Sequence, residues 1–278
     1  MNRNWRSGVT VSLVAEARGG PFVYWDSLST ACRNAQELGF DTIEIFAPGA
    51  DAIDPPELAA LLNDTELDVA AFGTGAGWLR HQWTLTHESA PVRQQAIDFV
   101  RRLIDLAGQF SAPVIIGSMQ GRWGGQVSHQ QAWDWLAEGL QQLQQEARGY
   151  GVPVLYEPLN RYETNLCHTL EQGCRWLDHY QLDNVHLLAD LFHMNIEEVD
   201  LGQALCQAGR RVGHIHFADS NRQAAGRGHL DFAPVVSALD AIGYDGILSA
   251  EVVPIPDSVA AARQTITTFR RLKGAVAQ

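Results

Sequence analysis

Residues 152–165, VPVLYEPLNRYETN, pass within a few positions from an apolar segment to a group of charged and amide side chains. The apolar part, VPVLY, has the composition of a buried β-strand, and Glu157 follows it directly. Glu163 comes six positions later, after Asn160 and Arg161. A carboxylate at the end of a buried strand is costly to desolvate unless it is paired. Its partners therefore have to be sought in the rest of the chain.

Seven other segments have the same apolar character as VPVLY. Each is short, rich in β-branched residues and almost continuously apolar, which is typical of parallel strands covered on both faces. The eight segments are VTVSLVA from Val9, DTIEIFA from Asp41, LDVAAFG from Leu67, APVIIGS from Ala112, VPVLYEP from Val152, VHLLADL from Val185, VGHIHFA from Val212 and GILSAEV from Gly246.

Longer segments with helical periodicity separate these strands. Ser89 and Ser128 precede two of them, and Asp231 and Asp257 are predicted N-caps of the last two helices. Strand and helix alternating eight times, with right-handed crossovers, predict a closed (β/α)8 TIM barrel of the α/β class. We expect a single domain over residues 1–278. An open doubly wound sheet is the alternative, but the chain has no nucleotide-binding glycine fingerprint.

The composition is typical of a globular protein with an apolar core. Hydrophobic residues make up 46% of the 278 residues, enough for a core, and no run of 18 or more apolar residues suggests a membrane span. The amino-terminal residues lack the apolar centre of a signal peptide. Four cysteines without a CxxC pair fit reduced thiols, so we expect a cytoplasmic protein. They are Cys32, Cys167, Cys174 and Cys206.

The charge argues against nucleic acid as a partner. The formal net charge is −12, and Lys273 is the one lysine in the sequence. A protein that binds a phosphate backbone needs clustered basic residues, and the arginines here are scattered apart from short pairs.

Four consecutive strands end in residues that can bind a metal ion. The fifth to eighth predicted strands end at Glu157, Asp190, His216 and Glu251. In a (β/α)8 barrel these positions meet at the carboxyl-terminal rim, where active sites lie. A divalent cation held by three carboxylates and one imidazole would offset the cost of burying these charges. Such a set of donors suits Mn²⁺, Mg²⁺, Co²⁺ or Fe²⁺ better than a structural zinc.

The same motifs carry a family resemblance. EPLNRYETN, ADLFHMNIEE, HIHFADSNR with GRGHLDF, and LSAEV resemble, in that order, the xylose-isomerase-like barrels of the sugar isomerase and epimerase superfamily. Within it they are most similar to the D-tagatose 3-epimerase (ketose 3-epimerase) family. The resemblance is specific from about residue 150 to 255 and only architectural before that. The early loops, GSMQGRWGGQ above all, do not match that family's pattern, so the substrate could differ.

The resemblance implies roles for seven residues. Glu157, Asp190, His216 and Glu251 would hold one divalent metal, with Mn²⁺ expected. Three others would bind a small-molecule sugar substrate: Glu163, His193 and Arg222. A homodimer or homotetramer is expected by the same analogy.

The chemistry that these residues would perform is proton removal and return next to a ketose carbonyl, through an enediolate that the metal stabilises. Inversion at a carbon needs two acid/base groups on opposite sides of it, and Glu157 and Glu251 fit that need as the catalytic pair. Which glutamate serves which face is left open. The resemblance implies C3 epimerisation of a ketose, and the lack of a clear phosphate-binding motif favours an unphosphorylated one.

Other reactions can use the same metal site. The alternatives are an aldose–ketose or hydroxypyruvate-type isomerase and a keto-sugar or keto-inositol lyase (dehydratase). A nuclease similar to endonuclease IV is disfavoured by the net charge of −12 and by the lack of the extra rim histidines that it would need. A non-catalytic sugar-binding barrel would not require a complete set of metal ligands.

Five further positions draw attention. Glu44 lies within a predicted strand and would point into the barrel, either tuning the site or pairing with an arginine. His214 is expected to be a packed, hydrogen-bonded histidine one layer below His216. Trp78, with His81 and Trp123, is a candidate for an aromatic wall against a sugar.

Overall fold

Eight parallel strands close into a barrel in the computed structural model, which describes residues 3–274. Each strand pairs with its neighbours in the chain, and the first pairs with the last. The strands are β1 (Arg6–Ser12), β2 (Thr42–Phe46), β3 (Asp68–Gly73), β4 (Val114–Ile116), β5 (Val154–Tyr156), β6 (Val185–Asp190), β7 (Val212–His216) and β8 (Ile247–Ala250). The predicted (β/α)8 fold is confirmed.

Helices follow the strands and cover the outside of the barrel. Short ones extend the loops after β3 and β6. In chain order they are α1 (Leu28–Leu38), α2 (Pro55–Thr65), α3 (Ala76–His81), α4 (Ala90–Gly108), α5 (His129–Gly149), α6 (Leu170–His179), α7 (Leu191–Glu197), α8 (Leu201–Ala208), α9 (Phe232–Ala241) and α10 (Ser258–Gly274).

The first strand begins three residues earlier than the sequence pattern predicts. Arg6–Val9 pair in register with Ile247–Ala250 of β8, and this pairing closes the barrel. Because Arg6 and Ser7 are polar, the hydropathy pattern does not indicate that the strand begins at Arg6. Ser7 is nevertheless buried, because its hydroxyl donates to the Asp41 carboxylate at 2.8 Å.

The apolar core lies in two places. The larger part fills the space between the barrel and its helices. A small separate cluster takes one side chain from each of β3, β4, β5 and β6, as expected for the packed interior of such a barrel: Ala71, Ile115, Leu155 and Leu188. Strands β2 and β7 instead contribute polar side chains, Glu44 and His214, which are also buried. The interior is therefore apolar on one side and polar on the other.

Contacts between the two ends of the described chain close the amino-terminal face of the barrel. The Arg3 guanidinium donates to the Asp240 carboxylate at 2.8 Å and to the Leu272 carbonyl at 2.6 Å. Lys273 donates to the Trp5 carbonyl at 2.6 Å. These bonds tie α9 and α10 to the segment before β1.

The predicted N-caps are present. Asp231 accepts from the Ala233 amide at 2.9 Å, and Asp257 accepts from the Ala260 amide at 2.8 Å. Ser128 forms a capping box with Gln131, in which each side chain accepts from the other residue's backbone amide. Ser89 precedes α4 as predicted, but its side chain accepts no capping hydrogen bond.

This difference between two N-cap serines yields a matched pair of variants. Ser128→Ala is expected to lower the free energy of unfolding by about 1 kcal/mol, since one amide of α5 loses its acceptor. Ser89→Ala is expected to change it by much less, because no capping bond is lost. Urea unfolding followed by circular dichroism measures both, and equal losses for the two variants would contradict the assignment.

Candidate active site

The four strand-end residues converge on one point at the carboxyl-terminal end of the barrel. Nδ1 of His216 lies 3.4 Å from Glu157 Oε1, 3.4 Å from Asp190 Oδ2 and 3.5 Å from Glu251 Oε2. One donor atom from each residue lies within 4.8 Å of all the others. The structure thus brings together the group that the sequence singled out.

The strands position these side chains directly. Asp190 and His216 are the last residues of β6 and β7, and they face each other in the register of the two strands. Glu157 follows β5, and its amide still donates to the Ile116 carbonyl of β4 at 3.1 Å. Glu251 follows β8. Because β5 and β8 are three strands apart in a ring of eight, their glutamates approach from well-separated walls of the barrel.

The two oxygens of Asp190 have different roles. Oδ1 caps α7 by accepting from the Phe192 amide at 2.7 Å and the His193 amide at 3.3 Å. Oδ2 lies 3.4 Å from His216 Nδ1 and is the oxygen that is available to bind a cation. An aspartate followed closely by a helical segment is an N-cap signal that the sequence analysis did not use.

His216 is held from its other side by Glu44. The Nε2 atom of His216 lies 3.1 Å from Glu44 Oε1, and Nε2 of His214 lies 2.9 Å from Glu44 Oε2. A carboxylate accepts only, so both imidazoles donate through Nε2. Nδ1 of His216 is then the atom presented to the three carboxylates. Glu44 pairs with two histidines and not with an arginine, so the arginine-paired interpretation was wrong, while His214 is packed and hydrogen-bonded as predicted.

Burial and mutual charge shift the pKa values of this group. Burial opposes ionisation of Glu44, but the imidazoles of His216 and His214 outweigh it and hold the pKa of Glu44 well below its usual value. Burial also raises the pKa of Glu251, to about 7, with Glu157 and Asp190 adding to the rise and His216 and Arg222 opposing it. Burial disfavours the His216 cation, yet the Glu251 and Glu44 carboxylates keep its pKa well above normal.

The donor set fits a divalent cation. Glu157 Oε1 is buried and, among residues 3–274, accepts no hydrogen bond. Three carboxylate oxygens and one imidazole nitrogen converge, and hard divalent cations favour such oxygen-rich sets. Glu44, His214 and His216 form a second group that could bind metal. Its two short N–H···O hydrogen bonds already satisfy it, so we assign the candidate metal centre to the first group.

The three predicted substrate residues stand around this centre. Arg222 donates to Glu251 Oε2 at 2.7 Å and to Glu163 Oε1 at 3.2 Å. His193 Nε2 lies 3.6 Å from Asp190 Oδ2 and 3.8 Å from Glu157 Oε1. All seven residues named from the sequence are therefore in one cluster.

Asn160 fixes the tautomer of the neutral His193 ring. Its backbone amide and its side-chain amide lie 3.3 and 2.7 Å from His193 Nδ1, which therefore accepts. The proton of the neutral ring is on Nε2, a buried atom that has no hydrogen-bond partner within the described chain. Asn160 also donates to Glu163 at 3.1 Å. The sequence shows Asn160 between Glu157 and Glu163 but does not show that it orients two other site residues.

Two residues after β4, Gly117 and Gln120, position Glu157. A Cβ on Gly117 would lie 2.5 Å from Glu157 Oε2, so only glycine leaves the carboxylate its space. The fully buried Gln120 donates to the Glu157 carbonyl at 3.1 Å and accepts from the Tyr156 hydroxyl at 2.8 Å. Neither was identified from sequence, because the contacts join segments about 40 residues apart and no local pattern indicates how these segments pack.

A cavity of about 390 Å³ leads from solvent to these residues. Glu157, His216, Glu251, Glu163 and Arg222 line its polar side. The end of β2 and the segments after β1 and β3 line the other side with apolar rings, among them Phe22, Phe46 and Trp78. Of the three aromatic candidates, Trp78 lies in this wall, while His81 stacks on Trp83 and Trp123 lies beside Asn165.

Asp219 organises the loop that carries Arg222. It is fully buried, and it accepts from the amides of Ser220 at 2.7 Å, Gly226 at 2.7 Å and Leu230 at 3.1 Å. Arg222, at φ 59, donates its amide to the Asp219 carbonyl at 2.9 Å. Burial opposes the charge of Asp219, but the backbone amides outweigh it and lower its pKa. No charge pattern in the sequence indicates this role.

Asp219→Asn is expected to lower stability by about 1–3 kcal/mol, because one buried amide loses its acceptor. The folded-state pKa of Asp219 is below its unfolded value, so its contribution is present above about pH 4 and is lost as pH falls through the folded pKa. The difference in melting temperature between wild type and variant should therefore shrink on acidification below pH 4. Asp231→Asn, which keeps a good N-cap, is the control and should show little change.

Glu44→Gln is expected to weaken binding of Mn²⁺ by about 10- to 100-fold, since a neutral amide has one acceptor oxygen for the two imidazole N–H groups that Glu44 holds and no longer supports His216 with a negative charge. Isothermal titration calorimetry measures the affinity without any substrate. Glu198→Gln removes a half-buried carboxylate that accepts from the Leu170 amide and is not among the candidate ligands, and should leave the affinity unchanged. Equal affinities in wild type and Glu44→Gln would contradict the role of Glu44.

Comparison with known proteins agrees with the fold. The family model described as xylose isomerase-like TIM barrel matches residues 32–272. An L-ribulose 3-epimerase of Mesorhizobium japonicum is 30% identical over 226 residues, covering 81% of this chain and 75% of the relative. A 3-dehydro-D-guloside 4-epimerase of Escherichia coli K12 is 38% identical over 116 residues, which cover 42% of this chain and 44% of that protein.

A solved structure extends the similarity over nearly the whole barrel. The D-allulose 3-epimerase from Methylomonas sp., in complex with D-allulose, is 25% identical with a TM-score of 0.80, and the match covers 97% of each chain. On the family match over most of its length and on the eight-stranded barrel, this chain belongs to the xylose isomerase-like TIM-barrel family.

Proposed function

We propose that the protein is a divalent-metal-dependent epimerase that inverts C3 of an unphosphorylated ketose. The observation that carries the proposal is the convergence of Glu157 and Glu251, from β5 and β8, on the same histidine nitrogen. The relatives support it, since L-ribulose 3-epimerase and D-allulose 3-epimerase act at C3 of ketoses. The protein is then an isomerase-class enzyme whose partner is a small sugar.

Glu157, Asp190, His216 and Glu251 would hold the metal, and we infer Mn²⁺ from the oxygen-rich donor set with one nitrogen. The cation, when bound, supplies Lewis-acid stabilisation of negative charge on the sugar oxygens. Four cysteines without disulfide bonds support a cytoplasmic location. No helix among the described residues combines the length and the apolar character that crossing a membrane requires. A dimer or tetramer stays a prediction.

The two carboxylates lie on separated walls of the barrel and can act on opposite faces of the sugar, as inversion at C3 requires. One takes the C3 proton from one face of the sugar, and the other returns a proton to the opposite face of the planar enediolate. Arg222 holds Glu251 Oε2 at 2.7 Å and so fixes the direction from which that carboxylate reaches the substrate.

The remaining polar groups would orient the sugar. His193 presents beside Glu157 and Asp190 an Nε2–H that has no partner among residues 3–274, suited to donate to a substrate oxygen. Glu163, partly exposed at the mouth and fixed by Asn160 and Arg222, is placed to accept from sugar hydroxyls. Phe22, Phe46 and Trp78 pack against the less polar edge of the sugar and exclude water.

A second candidate is the same proton exchange on an oxidised glycoside, at the carbon next to its ketone. It is favoured by the 38% identity, over 116 residues, to the 3-dehydro-D-guloside 4-epimerase. The carboxylate pair would act in the same way, and only the position of the ketone in the sugar would differ.

The first test is proton NMR in D₂O of the Mn²⁺-loaded protein with fructose, tagatose, psicose, ribulose and xylulose. Deuterium at C3 with accumulation of the epimer is the expected result. Deuterium at C1 would instead indicate aldose–ketose isomerisation, and loss of water from a keto-sugar would indicate the lyase.

Glu157→Gln and Glu251→Gln should each lower kcat for epimerisation by about 10²- to 10⁴-fold, since each removes one proton-transfer group. Glu163→Gln keeps both groups and should mainly raise KM. If one of the two catalytic variants retained full activity with metal bound, the two-carboxylate mechanism would be wrong.

A further inference from the structure

A second cavity opens beside the first. Its volume is about 400 Å³ against about 390 Å³ for the cavity that reaches the metal centre. Trp78, Ser118 and Glu163 line both cavities. Each volume alone is in the range of about 300–1,000 Å³ typical of ligand pockets. The two cavities are therefore adjacent, with these three side chains at their shared boundary.

Hydrogen bonds between loops build the walls of the second cavity. The Leu85 amide donates to the Met119 carbonyl at 2.8 Å, and the Arg122 amide donates to Thr86 Oγ1 at 3.0 Å. On the other side, Thr164 Oγ1 donates to the Gly121 carbonyl at 3.1 Å. The loop after β4 is thus bonded to the segments at residues 84–86 and 163–165, and the cavity is formed before any ligand binds.

Gly121 permits this close packing. Its φ is +83, and a Cβ there would lie 2.2 Å from Thr86 Oγ1. Farther along the same loop, Trp123 and Asn165 form three hydrogen bonds of 2.8 to 3.0 Å. The stretch GSMQGRWGGQ, which departs from the ketose 3-epimerase pattern, is therefore a rigid wall of the second cavity.

The polar groups in this cavity have free hydrogen-bonding capacity. Within residues 3–274, the Arg122 guanidinium and the Glu88 carboxylate form no hydrogen bond or ion pair, and both line the cavity. His87 uses Nδ1 to accept from the Ser89 amide at 3.0 Å, which leaves its other ring nitrogen available. Donors and acceptors of both charge signs therefore face the same space, next to the flat ring of Trp78.

This mixture suits sugar hydroxyls. A hydroxyl both donates and accepts, so it can bond to Glu88, to Arg122 and to His87. A phosphate carries only acceptors and would meet the carboxylates of Glu88 and Glu163 at close range, with one arginine to offset them. The indole of Trp78 offers a surface for the apolar face of a sugar ring.

We propose that the second cavity is a sugar subsite and that the ketose which reacts carries a glycosyl substituent. The proposal rests on the proposed function for the reacting end, which lies at Glu157 and Glu251. It adds that the substrate is larger than a free monosaccharide, with its second ring held by Arg122, Glu88 and Trp78. Binding energy from this remote ring raises kcat/KM at the reacting carbon.

The test compares fructose with glucosyl-fructoses that keep a free ketone: trehalulose, maltulose, leucrose and isomaltulose, joined through O1, O4, O5 or O6. The measurement is deuterium incorporation at C3 by the Mn²⁺-loaded protein, together with saturation-transfer NMR for binding without turnover. At least one disaccharide should show kcat/KM at least tenfold above that of fructose. Fructose 6-phosphate is included to represent a charged substituent.

Arg122→Ala should lower the ratio of kcat/KM for that disaccharide to kcat/KM for fructose by at least tenfold. Glu88→Ala should lower the same ratio to a smaller extent. The matched control is Arg33→Ala, an exposed arginine of α1 that lines neither cavity, which should leave the ratio unchanged. Circular dichroism melting shows whether each variant is folded.

The outcomes separate the two proposals. Exchange on fructose with no disaccharide preferred, or a preference for fructose 6-phosphate, would overturn the glycosyl subsite and leave the epimerase standing. A preferred disaccharide whose advantage survives Arg122→Ala would also overturn it. Disaccharide binding that depends on Arg122, without exchange at C3 on any sugar, would support the subsite and overturn the proposed reaction.

Discussion

Three carboxylates buried around one imidazole nitrogen are the constraint on which the rest of this structure depends. Glu157, Asp190 and Glu251 each lie about 3.4 to 3.5 Å from His216 Nδ1, and like charges so close repel strongly where solvent is scarce. The surrounding structure offsets that repulsion in several ways. Arg222 bonds to one carboxylate, the amino-terminal end of α7 binds another, and Glu44 fixes the histidine from below. A protein without a use for a cation there would gain stability from apolar residues instead.

The two halves of the barrel have different roles in the candidate active site. The later strands provide the charged groups, and their backbone register sets the spacing between those groups, so little freedom remains there for change. The earlier loops provide aromatic rings and the hydrogen-bonded wall around Gly121, which determine what else can enter. Proton chemistry and substrate choice therefore depend on different segments of the chain. Relatives named for several different sugars fit such a division, because a shared centre is compatible with different walls.

The sequence predicted the barrel and the strand-end cluster because both are local patterns: an apolar run followed by a metal-binding side chain, repeated on successive strands. It failed where a contact depends on the packing of distant segments. The partner of Glu44 comes from a strand about 170 residues away, and no periodicity distinguishes a histidine partner from an arginine. The supports given by Asn160, Gln120 and Asp219 were missed because amides and aspartates in loops are common. The early start of β1 was missed because Ser7 is polar yet buried through one hydrogen bond.

The contacts that join Arg3 to Leu272 and Lys273 to Trp5 place both ends of the described chain on the face of the barrel opposite the cavities. A linker, a fused partner or a solid support attached through either end would thus extend away from the entrance used by substrate. Substrate should therefore still reach the cavities of an immobilised preparation, whichever end carries the attachment. Covalent coupling through lysine would follow the same geometry, because Lys273 is the one lysine in the chain.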